Sequence, residues 1–124
     1  MPHGRVSPAP VRLDAEVMSV TNEVCLQGRL SREPEEKVLP SGDAVWVLRI
    51  VMPREEGDRK GVDWIDCAVW GGRLRRSVAS WGTGDVVEVR GALRRRFYRV
   101  AGAATSRVEV EARSGRLIRR ADPA

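Results

Sequence analysis

Residues 62–91 read VDWIDCAVWGGRLRRSVASWGTGDVVEVRG, and this stretch decides the fold. Its first nine residues are largely β-branched, apolar or aromatic, which predicts a strand. Apolar residues then recur at the helical spacing i, i+4 and i+7, as Leu74, Val78 and Trp81, between two glycine pairs. Apolar and polar residues alternate again over Asp85–Val100 and predict a second strand. The middle of the chain is therefore strand, short helix, strand.

Three further strands are predicted around this stretch. The chain alternates from Val17 to Gln27, is almost wholly apolar over Ala44–Met52 with Arg49 as the one charge, and alternates again over Arg107–Ala112. Three strands, a helix and two strands form the order of a five-stranded Greek-key OB-fold barrel, an all-β fold with one short helix. A β-sandwich needs about seven strands. An SH3-like barrel stays possible, although it normally lacks the helix.

The linkers and ends complete this organisation. Gly28 and Gly91 interrupt strands and are predicted to be bends at barrel corners. Residues 31–43 predict a charged loop, and residues 101–106 predict a turn of small residues. The domain prediction has three parts: a flexible arm over residues 1–16, an OB-fold domain over residues 17–119 and a short tail over residues 120–124. The basic segment from Arg113 onward is expected to fade into that tail.

The charge is distributed unevenly along the 124 residues. Residues 1–66 carry 9 basic and 12 acidic side chains, whereas residues 67–124 carry 13 basic and 5 acidic ones. A basic half rich in arginine favours a polyanionic partner, because a guanidinium binds phosphate through two parallel hydrogen bonds. No apolar run is long enough to span a membrane, and the first residues lack the apolar core of a secretory signal. We therefore expect a cytoplasmic protein.

Metal and catalytic sites are not expected. Cys25 and Cys67 lie far apart in sequence, and the single histidine, His3, falls in the arm, so no zinc site can be assembled. The pairs Glu35–Glu36 and Glu109–Glu111 are interpreted as solvated faces. A nuclease-like OB enzyme would need a carboxylate cluster around a metal, and this spacing is absent. We predict no enzyme activity, no cofactor and no metal.

Two tryptophans on the third strand are candidates for base stacking. Trp64 and Trp70 lie six residues apart, which places them on one face of a strand, and Asp66 shares that face. Burial in the core is the alternative for both. Trp81 is predicted to lie in the core, and Trp46 in the core or at a subunit interface.

The sequence Arg94-Arg95-Arg96-Phe97-Tyr98-Arg99 interleaves arginines with aromatic residues, as a strand that follows phosphates and stacks bases requires. By parity, Arg90, Arg94, Arg96 and Tyr98 share one face, and Phe97 is predicted to join Leu93 in the core. A solvated edge strand is the alternative for the arginines. The same ambiguity holds for Arg73 on the predicted helix.

Several segments together resemble one known family. The segments occur in the order and at the spacings of that family across residues 20–119. They are residues 22–30, 33–35, 40–42, 44–45, 63–64, 69–71, 84–91 and 93–94. These segments resemble bacterial single-stranded DNA-binding proteins. The resemblance implies that Trp64, Trp70 and Tyr98 stack on bases, that Arg94 and Arg96 contact phosphates and that Arg29 lies on the same surface. With the residues above, the candidate nucleic-acid-binding residues are Trp64, Trp70, Tyr98, Arg94, Arg96, Arg90, Arg29 and Arg73.

The sequence also departs from that family. The loop Arg54–Gly57 lacks an aromatic residue, and Ile65 replaces a histidine found at the tetramer interface of the family. The sequence ends in Arg-Arg-Ala-Asp-Pro-Ala, whereas the family ends in an acidic tip. The resemblance therefore implies a short paralogue that does not recruit repair enzymes through such a tip. A homotetramer built by pairing of first-strand edges is expected, with a dimer as the alternative.

The expected function is non-specific binding and protection of single-stranded DNA during replication, recombination or repair. The alternative is an OB-fold protein-interaction module or a primosome-type assembly subunit with weak or no DNA binding. RNA binding stays open, because stacking and phosphate contacts read the sugar poorly.

Overall fold

The structure is a computed structural model, and it describes residues 9–13, 16–54 and 61–122. In chain order, the described elements are β1 Ala9–Leu13, β2 Glu16–Val20, β3 Val24–Leu30, β4 Glu35–Val38, β5 Ala44–Pro53, β6 Val62–Val69, α1 Gly72–Val78, β7 Val86–Val100 and β8 Ala103–Arg119. Within this part of the chain, no helix has the length and apolar character needed to span a membrane.

Five strands close into a barrel in the order β3, β7, β8, β6, β5, and β5 pairs again with β3. Every pairing around the ring is antiparallel except that of β6 with β8, which is parallel at Cys67 and Ala68. Three ring strands precede α1 and two follow it. The prediction of an all-β OB-fold barrel with one short helix is confirmed.

The barrel interior is filled by the inward positions of these alternating strands. Its fully buried side chains include Leu30, Leu48, Ile50, Val87 and Val110. Burying one such side chain is worth about 1.5–3 kcal/mol.

The helix α1 and the turn after it pack apolar side chains into the same core. Leu74 and Val78 of α1 and Trp81 beyond it are buried in the core cluster, which confirms the core prediction for Trp81. Trp46 is partly buried against that cluster.

Gly28 and Gly91 lie where the strands bend, as predicted. At Gly28 the strand β3 passes from β7 toward β5, and a Cβ there would lie 2.5 Å from the carbonyl oxygen of Val51. The pairing of β7 with β8 shifts register between Arg90 and Gly91, and a Cβ at Gly91 would overlap the backbone of Glu111. Only glycine allows these backbones to approach so closely.

Three loop and terminus predictions differ from the structure. The loop predicted over residues 31–43 contains β4, which pairs with β5 and has all four residues exposed, so it carries no apolar period. The turn predicted over residues 101–106 is only Ala101 and Gly102, both at positive φ, which suits a tight two-residue hairpin. Beyond Arg113 the chain continues to pair with β7 as far as Arg119.

The segment predicted as an arm, residues 1–16, contains one strand that its sequence pattern did not indicate. Residues 9–13 form β1, which pairs antiparallel with β2 in a two-stranded sheet separate from the barrel. Residues 1–8, 14 and 15 lie outside the described residues. The pairing could not be recognised from the apolar period, because β1 includes a proline and lacks a sustained alternation.

Candidate nucleic-acid interface

The outward positions of β5, β6, β7 and β8 form one continuous surface. On β6, Ile65, Cys67 and Val69 point to the core, so Trp64 and Trp70 share the outer side with Asp66. Register places Arg49 beside Asp66 and Arg94 beside Glu109 on this side. We call this surface the aromatic face; its members are Arg49, Trp64, Asp66, Trp70, Arg94, Arg96, Tyr98, Arg107, Glu109, Glu111 and Arg113.

Three large aromatic rings stand exposed on the aromatic face. Trp64 is 56% exposed, Trp70 37% and Tyr98 44%. Burial in the core is therefore wrong for Trp64 and Trp70. Aromatic side chains normally contribute to a core or an interface, so three exposed rings on one face make this surface the candidate site.

Each of the three rings has an arginine guanidinium over its face. The guanidinium carbon of Arg49 lies 3.9 Å from the Trp64 ring centre, and that of Arg96 lies 5.3 Å from the Trp70 ring centre. Arg107 approaches Tyr98 at 5.9 Å. All three distances fall within cation–π range. Sequence reasoning did not select Arg49 or Arg107, although Arg49 is the single charge in an apolar strand.

Asp66 and Glu109 form part of a carboxylate floor beneath these arginines. Asp66 accepts two hydrogen bonds from Arg49, at 2.8 and 3.1 Å, and is 8% exposed. Glu109 is 5% exposed and lies 2.9 Å from Arg96 and 3.6 Å from Arg107. A carboxylate tolerates such burial only when it is paired and hydrogen-bonded. The prediction that Glu109 is solvated is wrong for this reason.

Glu111 completes the carboxylate floor. Its side chain is 26% exposed and lies within 3.4–3.8 Å of Arg94, Arg96 and Arg113. Five arginines thus surround three carboxylates, which leaves an excess of positive charge over the aromatic face.

The remaining arginine candidates lie at different distances from the aromatic face. Arg29 pairs with Val51, whose other strand neighbour is Trp64, so Arg29 lies in the same row of the sheet. Arg90 lies beyond the register shift of β7, 3.7 Å from Glu88 and away from the rings. Arg73 is exposed on α1, outside the sheet surface.

Phe97 is not in the core, and this prediction is wrong. Its side chain is 78% exposed, and Leu93 on the same side of β7 is 44% exposed. Phe97 does lie on the opposite face of β7 to Tyr98, as its parity predicts. The hairpin formed by β7 and β8 continues beyond the core residues, and no strand of the described residues covers Phe97.

The Cys67 thiol lies on the core side of β6, beneath the aromatic face. Burial raises the pKa of the Cys67 thiol to about 12, helped by the nearby Asp66 and Glu109 carboxylates. Among the described residues, no cluster of His, Cys, Asp and Glu side chains could hold a metal ion.

Comparisons with known proteins agree with this fold. The structure resembles that of a Plasmodium falciparum SSB in complex with ssDNA, with a TM-score of 0.68 over 82% of this chain and 96% of that one, at 23% identity. The sequence is 35% identical over 77 residues to a single-stranded DNA-binding protein of Deinococcus radiodurans. That match covers 58% of this chain and 25% of the relative, so the similarity spans a quarter of the relative's length.

The family comparison covers most of the barrel. The sequence model of the single-strand binding protein family matches residues 21–118, from just before β3 almost to the end of β8. With this match over more than half of its length, the chain belongs to the single-strand binding protein family.

Proposed function

We propose that this protein binds single-stranded DNA without sequence preference through the aromatic face and protects it during replication, recombination or repair. Bases stack on Trp64, Trp70 and Tyr98, and phosphates pair with the arginines between them. The protein acts by binding alone, with no chemical step and no cofactor. Its place is the cytoplasm, at the nucleoid.

The observation that carries this proposal is the set of three exposed rings among five arginines on one sheet surface. Each base stacked on an aromatic side chain is worth about 1–3 kcal/mol, and every base offers a flat face, so stacking tolerates any sequence. The family membership and the two relatives, a single-stranded DNA-binding protein and an SSB in complex with ssDNA, point in the same direction.

The arginines have separate roles in this proposal. Arg94 and Arg96, with an excess of positive charge around them, contact phosphates between the rings. Arg29 extends the phosphate path past Trp64. Arg90 and Arg73 act as peripheral contacts that the strand reaches only beyond the rings.

Assembly is part of the proposal. The strand β3 pairs with β5 only at Arg29 and Leu30, so along Val24–Gly28 it has one edge without a strand partner among the described residues. An open edge can pair with the same strand of a second copy. We propose a homotetramer built from such pairs, with a mass by light scattering of four times 13.8 kDa; a monomer in dilute solution contradicts it.

Alanine variants of the three rings test the binding proposal. Trp64→Ala, Trp70→Ala and Tyr98→Ala should each lower the affinity for labelled oligo-dT by about 5- to 150-fold, the equivalent of one stacked base. Val38→Ala, at an exposed apolar position on β4, is the matched control and should bind normally.

Unchanged affinity in all three folded ring variants contradicts the proposal. No binding by the native protein favours the protein-interaction alternative instead. The same titration with oligo-U measures the preference for DNA over RNA.

A further inference from the structure

The hairpin formed by β7 and β8 has a second face, opposite to Tyr98. On β7 this side carries Leu93, Arg95, Phe97 and Arg99, because side chains alternate along the strand. Phe97 is the most exposed large apolar side chain among the described residues, at 78%. Its partner across the hairpin is Ser106, which is too small to cover the ring.

The charges on this second face differ from those on the aromatic face. Arg95 donates a hydrogen bond to the hydroxyl of Ser106 at 3.1 Å, and Arg99 donates one to the carbonyl of Gly102 at 3.0 Å. Neither arginine forms an ion pair with any described carboxylate. Glu109 and Glu111, the two carboxylates of the hairpin on the Phe97 side of the register shift at Gly91, lie on the other face, where they hold Arg94, Arg96 and Arg107.

An exposed ring between two arginines without carboxylate partners matches the chemistry of a single-stranded polyanion that carries flat bases. The ring offers a stacking platform, and the guanidiniums offer phosphate contacts on either side of it. A protein partner that buried this face would leave two guanidiniums to be paired, at a high desolvation cost. Charge complementarity therefore favours nucleic acid.

We propose that Phe97, Arg95 and Arg99 form a second subsite for single-stranded nucleic acid, so that one strand continues from Tyr98 around the hairpin to its opposite face. This inference rests on the proposed function of the aromatic face. It adds a site on the opposite side of the same two strands. Short strands occupy the aromatic face alone, and longer ones occupy both faces.

Strand length separates the two sites. We would measure binding to oligo-dT of about 8 and about 30 nucleotides, because one OB fold covers about 4–16 nucleotides. Phe97→Ala should leave the affinity for the short strand within about twofold and lower that for the long strand by about 5- to 150-fold, as expected for one lost stacked base. Equal affinity of the native protein and Phe97→Ala for the long strand overturns the inference.

Salt dependence tests the two arginines. Each phosphate contact contributes about −0.7 to the slope of log K against log salt for single strands. Arg95→Gln with Arg99→Gln should therefore reduce the magnitude of the slope for the long strand by about 1.4. The control pair, Arg76→Gln with Arg119→Gln, removes the same charge from exposed positions elsewhere and should leave the slope unchanged. An equal slope in both double variants contradicts the phosphate contacts.

A gain of signal gives an independent test. Phe97→Trp keeps a flat ring at the subsite and should add fluorescence quenching with the long strand but not with the short one. Absence of any added quenching overturns the inference.

Two other outcomes are distinguishable. If Trp64→Ala loses affinity while Phe97→Ala binds both strands normally, the aromatic face stands and the second subsite fails. If Phe97→Ala binds DNA normally but has a lower mass in solution than the native protein, a second copy of the chain covers this face, and the inference is wrong.

Discussion

Replacement of Glu111 by glutamine should strengthen DNA binding. The carboxylate of Glu111 lies 3.4 Å from Arg94, 3.6 Å from Arg96 and 3.8 Å from Arg113, so it competes with phosphate for all three guanidiniums. The isosteric amide removes one negative charge and keeps the shape of the side chain. One unit of positive charge is then released for contact with a phosphate.

The size of the effect follows from two estimates. One additional phosphate contact changes log K by about 0.7 per tenfold change in salt, which is about fivefold between 1 M and 0.1 M salt. A unit charge about 6 Å from a phosphate in water interacts by about 0.7 kcal/mol, or about threefold. We therefore expect a three- to fivefold gain in affinity for Glu111→Gln at 0.1 M salt. Because Glu111 is partly exposed, the stability should change by no more than about 1 kcal/mol.

The assay is fluorescence anisotropy of a labelled oligo-dT at 0.1 M and 1 M salt. Glu36→Gln is the matched control. Glu36 lies on β4, outside the aromatic face, and pairs with Arg75 of α1 at 3.3 Å, and its replacement changes the net charge by the same amount. The gain should appear only in Glu111→Gln and disappear at 1 M salt. Unchanged or weaker binding by folded Glu111→Gln, or the same gain in Glu36→Gln, refutes the competition between this carboxylate and DNA.

Three predictions concern stability and reactivity. Gly91→Ala should lower the free energy of unfolding, measured by urea titration, by several kcal/mol, because the added Cβ would overlap the backbone of β8. The control Gly71→Ala should change it by less than about 1 kcal/mol, because no atom lies within 4 Å of a Cβ there. Equal effects of the two variants contradict the close approach at Gly91. Burial alone would raise the pKa of the Asp85 carboxyl. The backbone N–H groups of Ala121 and Gly82 and the guanidinium of Arg120 donate hydrogen bonds to it, and together they outweigh burial, so its pKa is lowered. A carboxyl whose pKa is lower in the folded state stabilises the fold at pH values above its pKa in the unfolded chain. The native protein should therefore have a higher free energy of unfolding than Asp85→Asn above about pH 4–5, and this difference should shrink at lower pH. A difference that stays constant down to about pH 2 contradicts the lowered pKa. Cys25 is exposed, whereas Cys67 is buried and its thiol has a raised pKa. A thiol reagent at about pH 8 should therefore label Cys25 alone in the folded chain. Rapid labelling of both cysteines contradicts this prediction.

The sequence predicts the barrel well because its core strands are half-buried. Alternation fixes which side chains of β6 and β7 point inward, and the order of strands around α1 limits the fold to few choices. The short strand β4 was missed because all of its residues are exposed, so burial imposes no period on it. The true length of β8 was missed for a related reason, since residues 103–106 are small and show no apolar alternation.

The aromatic face was predictable in part. Parity places Trp64 and Trp70 together, and it separates Tyr98 from Phe97. The pairing of Glu109 and Glu111 with arginines depends on the register of β7 against β8, which the sequence does not specify. The exposure of Phe97 depends on how far the hairpin extends beyond the barrel, and that length is also a property of the folded chain.

The most direct test of the aromatic face is a titration of the native protein with oligo-dT while tryptophan fluorescence is followed, at low and at high salt. Trp64 and Trp70 are exposed and Trp81 is buried, so stacking should quench the exposed population strongly. We expect strong quenching at low salt and weaker binding as salt rises, because bases stack on the rings while phosphates pair with the arginines. A folded protein that shows no quenching at low salt would contradict the assignment of the aromatic face as the DNA-binding surface.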